Sequence, residues 1–338
     1  MSTVTHGPRS AGWAIDDAVT RLRRWGKRDG FELPTDVHSL LVGAADECDL
    51  RIQDQIGSVS RQHAELTREA GVWTLKDRGS KNGSRLDGER RLSFALTPGI
   101  EVEIGEVKLI AESDRLVTLQ AFLARILGFD DRRLAAIDEA LRGIRDAAAR
   151  RGTLLLCGAG SLVSTARRIH ELALGTTRPF VVAEGTNLRD ATESAAGGTL
   201  CVDGAVTPSE LTFARDARES ALFICARTAD EAAEAVPHVQ RGTIVEIPPL
   251  LRRGDEREQL ILEYASDATR VLGVGTNGFR EHELVWLGDV QLPSLEEIEE
   301  LMLRLVAERV FGPTHGAAKL GITRRALSEY LRRRGIPL

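Results

Sequence analysis

Along the first third of the chain, apolar residues come in short runs that alternate with polar ones and are cut by turn formers. Ser39-Leu40-Leu41-Val42-Gly43 is an apolar run closed by glycine, and Leu50-Arg51-Ile52 alternates. His63-Ala64-Glu65-Leu66 and Val72-Trp73-Thr74-Leu75 follow, each bounded by turn residues. Ile100-Glu101-Val102-Glu103-Ile104 alternates with period two, Gly105 closes it, and Val107–Ala111 completes a hairpin. Short strands with turn signals every 8–12 residues or so predict an all-β sandwich. Ahead of them, residues 1–23 read as a loose tail with one short helix over Trp13–Arg24.

The period changes after Asp114. Leu134, Ile137, Leu141 and Ile144 fall at helical spacing, and Arg150-Arg151-Gly152 places cations and a glycine stop at the helix end. Thr153–Cys157 is a continuous apolar run, followed by a glycine turn and a helix over Val163–Leu174. Phe180–Ala183, Thr199–Val202, Ala221–Cys225 and Thr243–Ile247 are further short apolar runs with helical stretches between some of them. Unbroken apolar strands separated by helices predict a parallel sheet covered on both faces. From about Leu292 the pattern is helical: Leu295, Ile298, Met302, Leu305 and Val306 share one face, Phe311-Gly312-Pro313 breaks it, and two shorter helices follow.

Composition narrows the class without deciding it. A chain of 338 residues with 42% hydrophobic and 28% charged residues has material for two or three domains. No apolar run approaches the roughly 18–20 residues that cross a bilayer, and the first thirty residues lack a signal-peptide core, so a cytoplasmic protein with no membrane partner is expected. Cys48, Cys157, Cys201 and Cys225 are widely spaced in apolar surroundings, which predicts buried free thiols and no metal site. The net charge of −5 argues against nucleic-acid binding by the chain as a whole. Its distribution is uneven, however. From Arg309 onward there are seven cations (Arg309, Lys319, Arg324, Arg325, Arg332, Arg333 and Arg334) and one acid, Glu329, while Glu296, Glu297, Glu299, Glu300 and Glu308 lie just upstream.

Two turns in the strand-rich segment carry candidate chemistry: Gly57-Ser58-Val59-Ser60-Arg61-Gln62-His63-Ala64 and Asp77-Arg78-Gly79-Ser80-Lys81-Asn82-Gly83-Ser84. A phosphate offers about two negative charges and three acceptor oxygens, and hydroxyls, backbone N–H groups and an Arg converging on one spot hold it best. Ser60 and Arg61 supply a hydroxyl and a cation, Asn82 an amide, and Ser80 and Ser84 flank it. The segment over roughly 24–112 resembles a forkhead-associated (FHA) domain, a reader of phosphothreonine peptides. That resemblance implies that Ser60 meets the phosphate, His63 props the loops, Asn82 grips the ligand backbone, and Gly83 supplies turn freedom. FHA domains usually carry Gly-Arg early in the domain, where this chain has Gly43-Ala44. Loss of that cation costs about 1.5–3 kcal/mol of phosphate binding. A second reading of the same fold is a protein-docking module without phosphate dependence.

Residues 134–310 resemble the central AAA+ domain of sigma-54 enhancer-binding activators. Leu154–Ser161 stands at the P-loop position, with Gly158, Gly160 and Ser161 in the turn; Ala196–Asp203 matches the Walker B strand; Ile247–Asp255 matches the start of the lid; and Trp286–Leu292 matches the segment that supplies a second sensor. The chemistry departs from that family. A P-loop needs a Lys for the outer phosphates and a Ser or Thr for magnesium, yet no Lys occurs between Lys108 and Lys319. Gly204 follows Asp203 where the family has Glu, Gln291 stands where an Arg is expected, and the sigma-54 contact loop is absent. Loss of these groups removes most of the electrostatic stabilisation of phosphoryl transfer, so a scaffold without ATPase activity or cofactor is expected. Nucleotide binding without hydrolysis is the alternative for this degenerate site.

Thr314–Ile336 reads as a helix-turn-helix. Ala317 allows close approach, Gly321 makes the turn, Leu320, Ile322, Leu327 and Tyr330 close a small core, and Thr323 caps the second helix. It resembles the Fis-type DNA-binding domain that ends sigma-54 activators, over about 293–338. The second helix would enter the major groove with Thr323, Arg324, Arg325 and Ser328, while Arg332, Arg333 and Arg334 touch phosphates. The alternative is a basic hairpin that binds a protein. The apolar face from Leu295 to Val306 predicts a dimer seam.

Together these readings predict a tail (1–23), an FHA β-sandwich (24–114), a degenerate AAA+-like parallel α/β domain (115–290) and an all-α Fis-type helix-turn-helix (291–338). The expected function is a non-enzymatic transcriptional regulator that senses phosphothreonine and binds double-stranded DNA as a homodimer or higher homo-oligomer. Its phosphothreonine ligand is a protein or the chain's own tail, through Thr3, Thr5 or Thr20. Two rivals remain: an active sigma-54-dependent ATPase with an atypical nucleotide site, and a phosphopeptide-binding adaptor without DNA binding.

Overall fold

The computed structural model describes residues 18–184, 187–204, 207–217, 219–279, 287 and 294–336. They fall into two compact units, one within Met1–Cys157 and Leu162–Glu246, the other within Gly158–Ser161 and Ile247–Leu338.

The first unit begins with a two-sheet sandwich. One sheet has the order β2-β1-β11-β10-β7-β8, built from β1 (Arg21–Arg24), β2 (Gly30–Glu32), β7 (Ser84–Leu86), β8 (Glu89–Arg90), β10 (Glu101–Ile104) and β11 (Val107–Glu112). The other runs β4-β3-β5-β6-β9, with β3 (Ser39–Gly43), β4 (Leu50–Arg51), β5 (Ala64–Glu69), β6 (Val72–Asp77) and β9 (Ser93–Ala95). Alternation sets the core: Leu40 and Val42, Leu66, Trp73 and Leu75, and Val102 and Ile104 all point inward. The expected helix over Trp13–Arg24 is corrected at its C-terminal end, where Arg21–Arg24 is a strand paired antiparallel with both β2 and β11. Val19 is buried in the same core. The sandwich therefore begins before residue 24, and the tail ends sooner than expected. Arg21-Leu22-Arg23-Arg24 hides one apolar residue among cations, so its strand character comes from sheet pairing rather than from its own pattern.

Two helices follow, α1 (Asp114–Leu127), capped by Ser113, and α2 (Leu134–Ala148). Helix α2 packs beside the sandwich through buried charges. Arg23, from β1, reaches Glu112 at 2.6 Å and Asp138 of α2 at 2.5 Å, and Asp138 also accepts from the Gly26 N–H at 2.7 Å. Arg142 of α2 pairs with Glu101 at 2.5 and 3.0 Å, and its guanidinium lies 4.4 Å from the Trp25 ring centroid. Arg145 donates to Asp87 at 3.1 Å and to the Gly99 carbonyl.

The rest of this unit is a five-stranded sheet in the order β13-β14-β15-β12-β16, from β12 (Thr153–Gly158), β13 (Phe180–Glu184), β14 (Thr199–Asp203), β15 (Ala221–Ala226) and β16 (Gly242–Ile247). The pairs β13–β14, β14–β15 and β12–β15 are parallel. Helices α3 (Leu162–Ala173), α4 (Leu188–Ser194), α5 (Pro208–Ala217) and α6 (Ala229–Ala235) connect them. All four cysteines are free and buried. His170, on α3, is also buried, with Nδ1 2.8 Å from Thr199 Oγ1 and Nε2 3.1 Å from the Arg178 carbonyl.

In the second unit, α7 (Arg257–Leu272) packs on α8 (Leu295–Lys319), which breaks at Gly312 (φ 75°, ψ 168°). The last helix, α9 (Arg324–Arg333), follows the turn at Gly321 and packs back on α8. The expected dimer seam is corrected here. Ile298, Leu301, Met302, Leu305 and Val306 are fully buried within the chain, because α7 and α9 already cover that face.

Candidate functional site

The two hydroxyl-rich turns of the sandwich lie together. Ser60 Oγ accepts from the Lys81 N–H at 3.1 Å, and the Asn82 amide donates to the Ser58 carbonyl at 2.7 Å. Between them, His63 is completely buried and accepts from the Ser60 N–H through Nδ1 at 3.1 Å. Its Nε2 stands 3.1 Å from the Gly83 carbonyl, which assigns the proton to Nε2. Burial pushes the imidazole below its ordinary pKa despite the Gly83 carbonyl and the Asp77 carboxylate, so the ring is neutral at pH 7.

Asp77 organises the second turn. Its carboxylate accepts from the Gly79 N–H at 2.9 Å, the Ser80 N–H at 2.8 Å, Ser80 Oγ at 2.7 Å and Ser84 Oγ at 2.8 Å. Burial alone would raise its pKa, yet the Ser80 and Ser84 hydrogen bonds and His63 hold it below the usual carboxylate range. Ser80 and Ser84, expected to face a ligand, instead turn inward: both are buried on Asp77, and Ser80 Oγ also accepts from the Gly83 N–H at 3.0 Å. Gly83 has φ +77°, and a Cβ there would strike the Arg90 guanidinium at 2.4 Å. Hydroxyl type and spacing do not distinguish an inward serine from an outward one. Asp77 at the start of the turn, able to accept from its own loop, is the signal that could have.

Of the residues in these turns, Arg61 and Lys81 are exposed and Ser60 and Asn82 are partly buried. The Arg61 side chain is 85% exposed, with Glu47 as a loose partner at 3.6 Å. Lys81 was not among the residues singled out by sequence, and it adds an exposed cation beside Ser60. The backbone of residues 43–45 runs alongside: the Ala44 N–H donates to the Ser60 carbonyl at 3.0 Å and the Ala45 N–H to the Arg61 carbonyl at 3.1 Å. A Cβ at Gly43 would meet the Arg61 carbonyl oxygen at 2.2 Å, so only glycine permits this approach. Position 44 thus stands next to the Ser60-Arg61 turn, and its partly buried methyl group packs against the sandwich core.

Thr20, one of the three threonines considered as a ligand within the chain, is built into the sandwich. Its N–H donates to the Glu112 carbonyl at 2.8 Å and its carbonyl accepts from the Leu33 N–H. Thr3 and Thr5 lie outside the described residues.

The sandwich resembles a forkhead-associated domain. The family described as the cytoplasmic domain of an inner membrane component of T3SS (Yop-YscD) matches residues 25–114. The chain is 35% identical over 103 residues to an oxoglutarate dehydrogenase inhibitor of Corynebacterium diphtheriae, covering 30% of this chain and 66% of that protein. A protein of the same description from Corynebacterium jeikeium is 31% identical over 85 residues, covering 25% of this chain and 58% of that one. The chain therefore spans less than two thirds of the length of these curated relatives. Among solved structures, Mycobacterium tuberculosis EmbR in complex with a low affinity phosphopeptide is 23% identical, with a TM-score of 0.26 over 28% of this chain and 24% of that one.

The degenerate nucleotide positions divide between the two units. In the first, Asp203 ends β14 and Gly204 follows with φ +87°. In the second, Gly158 (φ +107°) lies against Ile247, whose carbonyl oxygen a Cβ would meet at 2.3 Å. The Ser161 N–H points at the carboxylate of Glu296, in the first turn of α8, at 3.3 Å. A carboxylate thus lies where a phosphate-binding turn would hold an anion of its own. The expected sensor position Gln291 lies outside the described residues. Among the described residues no His, Cys, Asp and Glu side chains group as a metal site, and no helix is long and apolar enough to cross a membrane.

At the C-terminal end, Thr323 caps α9, its Oγ1 accepting from the Ala326 N–H at 3.1 Å. Leu327 and Leu331 are the buried anchors of this helix, with Ile336 beyond it, while Leu320, Ile322 and Tyr330 are only half-buried. Close approach of the segments around Gly312 depends on Gly316 as well as Ala317: a Cβ at Gly316 would fall 2.4 Å from the Ala307 carbonyl oxygen. Thr323, Arg324, Arg325 and Arg332 are exposed and Ser328 half-exposed on the outer face. Arg333 is exposed but paired with Glu329 at 2.8 Å. Arg334 turns inward, against Glu297 and the Tyr330 ring, and departs from the expected row of phosphate contacts.

Proposed function

We propose that this chain is a regulator that reads a phosphothreonine-containing protein with its N-terminal sandwich and binds double-stranded DNA with its C-terminal helices, without enzymatic turnover. The observation that carries the first half is the joining of two turns, Ser60 Oγ on the Lys81 N–H and the Asn82 amide on the Ser58 carbonyl. They bring the Ser60 hydroxyl and the Asn82 amide together, with the exposed cations Arg61 and Lys81 each one residue away in the chain. Such a set of groups complements a phosphate with a peptide backbone beside it. The second half rests on the capped α9, whose outward residues are Arg324, Arg325, Ser328 and Arg332. Cations set DNA affinity and base-edge contacts set specificity.

The middle of the chain acts as an AAA+-like scaffold in this reading. The order β13-β14-β15-β12-β16 supports that likeness. The missing P-loop Lys and the Glu296 carboxylate at the Gly160-Ser161 turn speak against nucleotide binding. The chain is accordingly expected to show no magnesium-ATP turnover; hydrolysis abolished by Asp203→Ala would overturn this part.

Fluorescence anisotropy with a degenerate phosphothreonine peptide library and its unphosphorylated counterpart tests the sandwich. Binding should require the phosphate, fall at least tenfold in Ser60→Ala and Asn82→Ala, and rise about tenfold in Ala44→Arg, which restores a charge-assisted hydrogen bond. Equal binding of both libraries would refute the phosphate reading. The description of the relatives as inhibitors favours a second reading, in which the sandwich docks on an enzyme and α9 is dispensable. Mobility shifts on genomic fragments distinguish the two: DNA retention that is lost when Arg324 and Arg325 become Ala supports the regulator.

A further inference from the structure

One side of α9 carries a stacked arrangement that neither half of the proposed function uses. Tyr330 lies between two guanidinium groups, Arg304 of α8 and Arg334 beyond the end of α9, each 3.8 Å from the ring centroid. The phenol hydroxyl donates to Glu300 at 3.1 Å, Glu300 pairs with Arg304 at 2.6 Å, and Glu297 pairs with Arg334 at 3.5 Å. Glu297, Glu300 and Arg304 are spaced by three and four residues, so they form one stripe along α8. Tyr330 and Arg334 are four apart and form the facing stripe.

The helix needs such a device. With ten residues it is about 15 Å long. Its buried anchors, Leu327 and Leu331, form a single stripe. One greasy stripe fixes contact but leaves rotation about the helix axis poorly determined, and that rotation decides where Arg325, Ser328 and Arg332 point. A flat ring held between two planar cations, with its hydroxyl tied to a carboxylate, resists that rotation, because cation–π attraction and the hydrogen bond both depend on orientation. Neither Arg304 nor Arg334 is available as a simple phosphate contact while it stacks on the ring.

We infer that Tyr330 and Arg334 are positioning residues that set the rotation of α9 on α8 through the Arg304–Tyr330–Arg334 stack, and that Arg334 does not contact DNA phosphates. This inference rests on the DNA-binding reading of α9. Tyr330→Phe keeps the ring in the stack, Tyr330→Leu removes it, and Arg334→Gln removes one of the two cations.

The test measures binding of the full chain to a fluorescent mixed-sequence duplex across a salt series, with hydrogen exchange of residues 324–333 followed in parallel. Tyr330→Leu and Arg334→Gln should each weaken binding about tenfold and speed exchange in α9, with the slope of log affinity against log salt unchanged. Tyr330→Phe should remain within about threefold of the unaltered chain. Arg332→Gln, a phosphate contact, should lower that slope by about 0.9. A full-unit loss of slope in Arg334→Gln, or unchanged affinity and exchange in Tyr330→Leu, overturns the positioning role while leaving DNA binding intact. No binding by the unaltered chain overturns the DNA reading and this inference together.

Discussion

His63 ties the stability of the two joined turns to pH. It holds the Ser60 turn through Nδ1 and the Gly83 carbonyl through Nε2, and burial keeps its pKa below the free value. His170, buried between Thr199 and Arg178, is lowered for the same reason. A histidine held neutral in the native state gains protons on unfolding once the pH falls below the free value of about 6.5. The unfolded chain then binds more protons, so stability is full above that pH and declines as pH falls through each histidine's lowered native pKa. The urea midpoint should therefore be lower at pH 5.5 than at pH 7.5, and His63→Gln should show a smaller difference. An unaltered chain with the same midpoint at both values would contradict the assignment. Replacing Asp77 strikes the same loops harder. Asp77→Ala strands Ser80, Ser84 and two backbone N–H groups, and should cost about 2–4 kcal/mol in denaturant unfolding.

At the scale of elements, the helical end depends on a close approach that one glycine permits. Gly316 brings the segment after Gly312 onto the Ala307 carbonyl, and any side chain there meets backbone rather than a movable group. Gly316→Val should destabilise the α8–α9 hairpin by about 1–3 kcal/mol and lower its helicity at 37 °C, read by circular dichroism. Gly316→Ala should do so to a smaller degree. Much of this element pattern was legible in advance. Strands β12 to β15 are continuous apolar runs, β3 is a short apolar run closed by glycine, the β10 alternation is plain, and Gly312 and Thr323 mark the break and the cap. What was illegible is instructive. β1 is a cationic tetrapeptide whose strand state comes from its two neighbours, and β7, β8 and β9 are too short to show a period. The face from Ile298 to Val306 advertises a partner, but amphipathicity does not say whether the partner is another chain or, as here, α7 and α9 of the same one. The candidate site was half legible: residue types located both turns, while the inward rotation of Ser80 and Ser84 and the role of Lys81 follow from where Asp77 and Ser60 send their hydrogen bonds.

For the first unit as a whole, the decisive contact is the buried Arg23 cluster. Arg23 is 2% exposed, and Glu112 and Asp138 are fully buried around it. Removing one member of a buried ionic cluster leaves the others uncompensated and typically costs about 3–5 kcal/mol. Arg23→Met should lower the thermal midpoint of this unit by about 10 °C, at 2–4 °C for each kcal/mol. Adding Glu112→Leu and Asp138→Leu should recover much of that loss, since a well-packed apolar replacement of such a cluster is often tolerated. A single substitution as mild as the triple one would show that the cluster does not join sandwich to helix.

The same cluster changes what counts as a separable module. Cut after residue 114, the sandwich would keep Arg23 and Glu112 but lose Asp138, and Trp25 would surrender one of the two cations that cover its ring. An excised sandwich that keeps its buried ion cluster would run from about residue 18 through the end of α2 at Ala148. A cut behind the last β-strand therefore falls inside the seam between sandwich and α2, not at its edge.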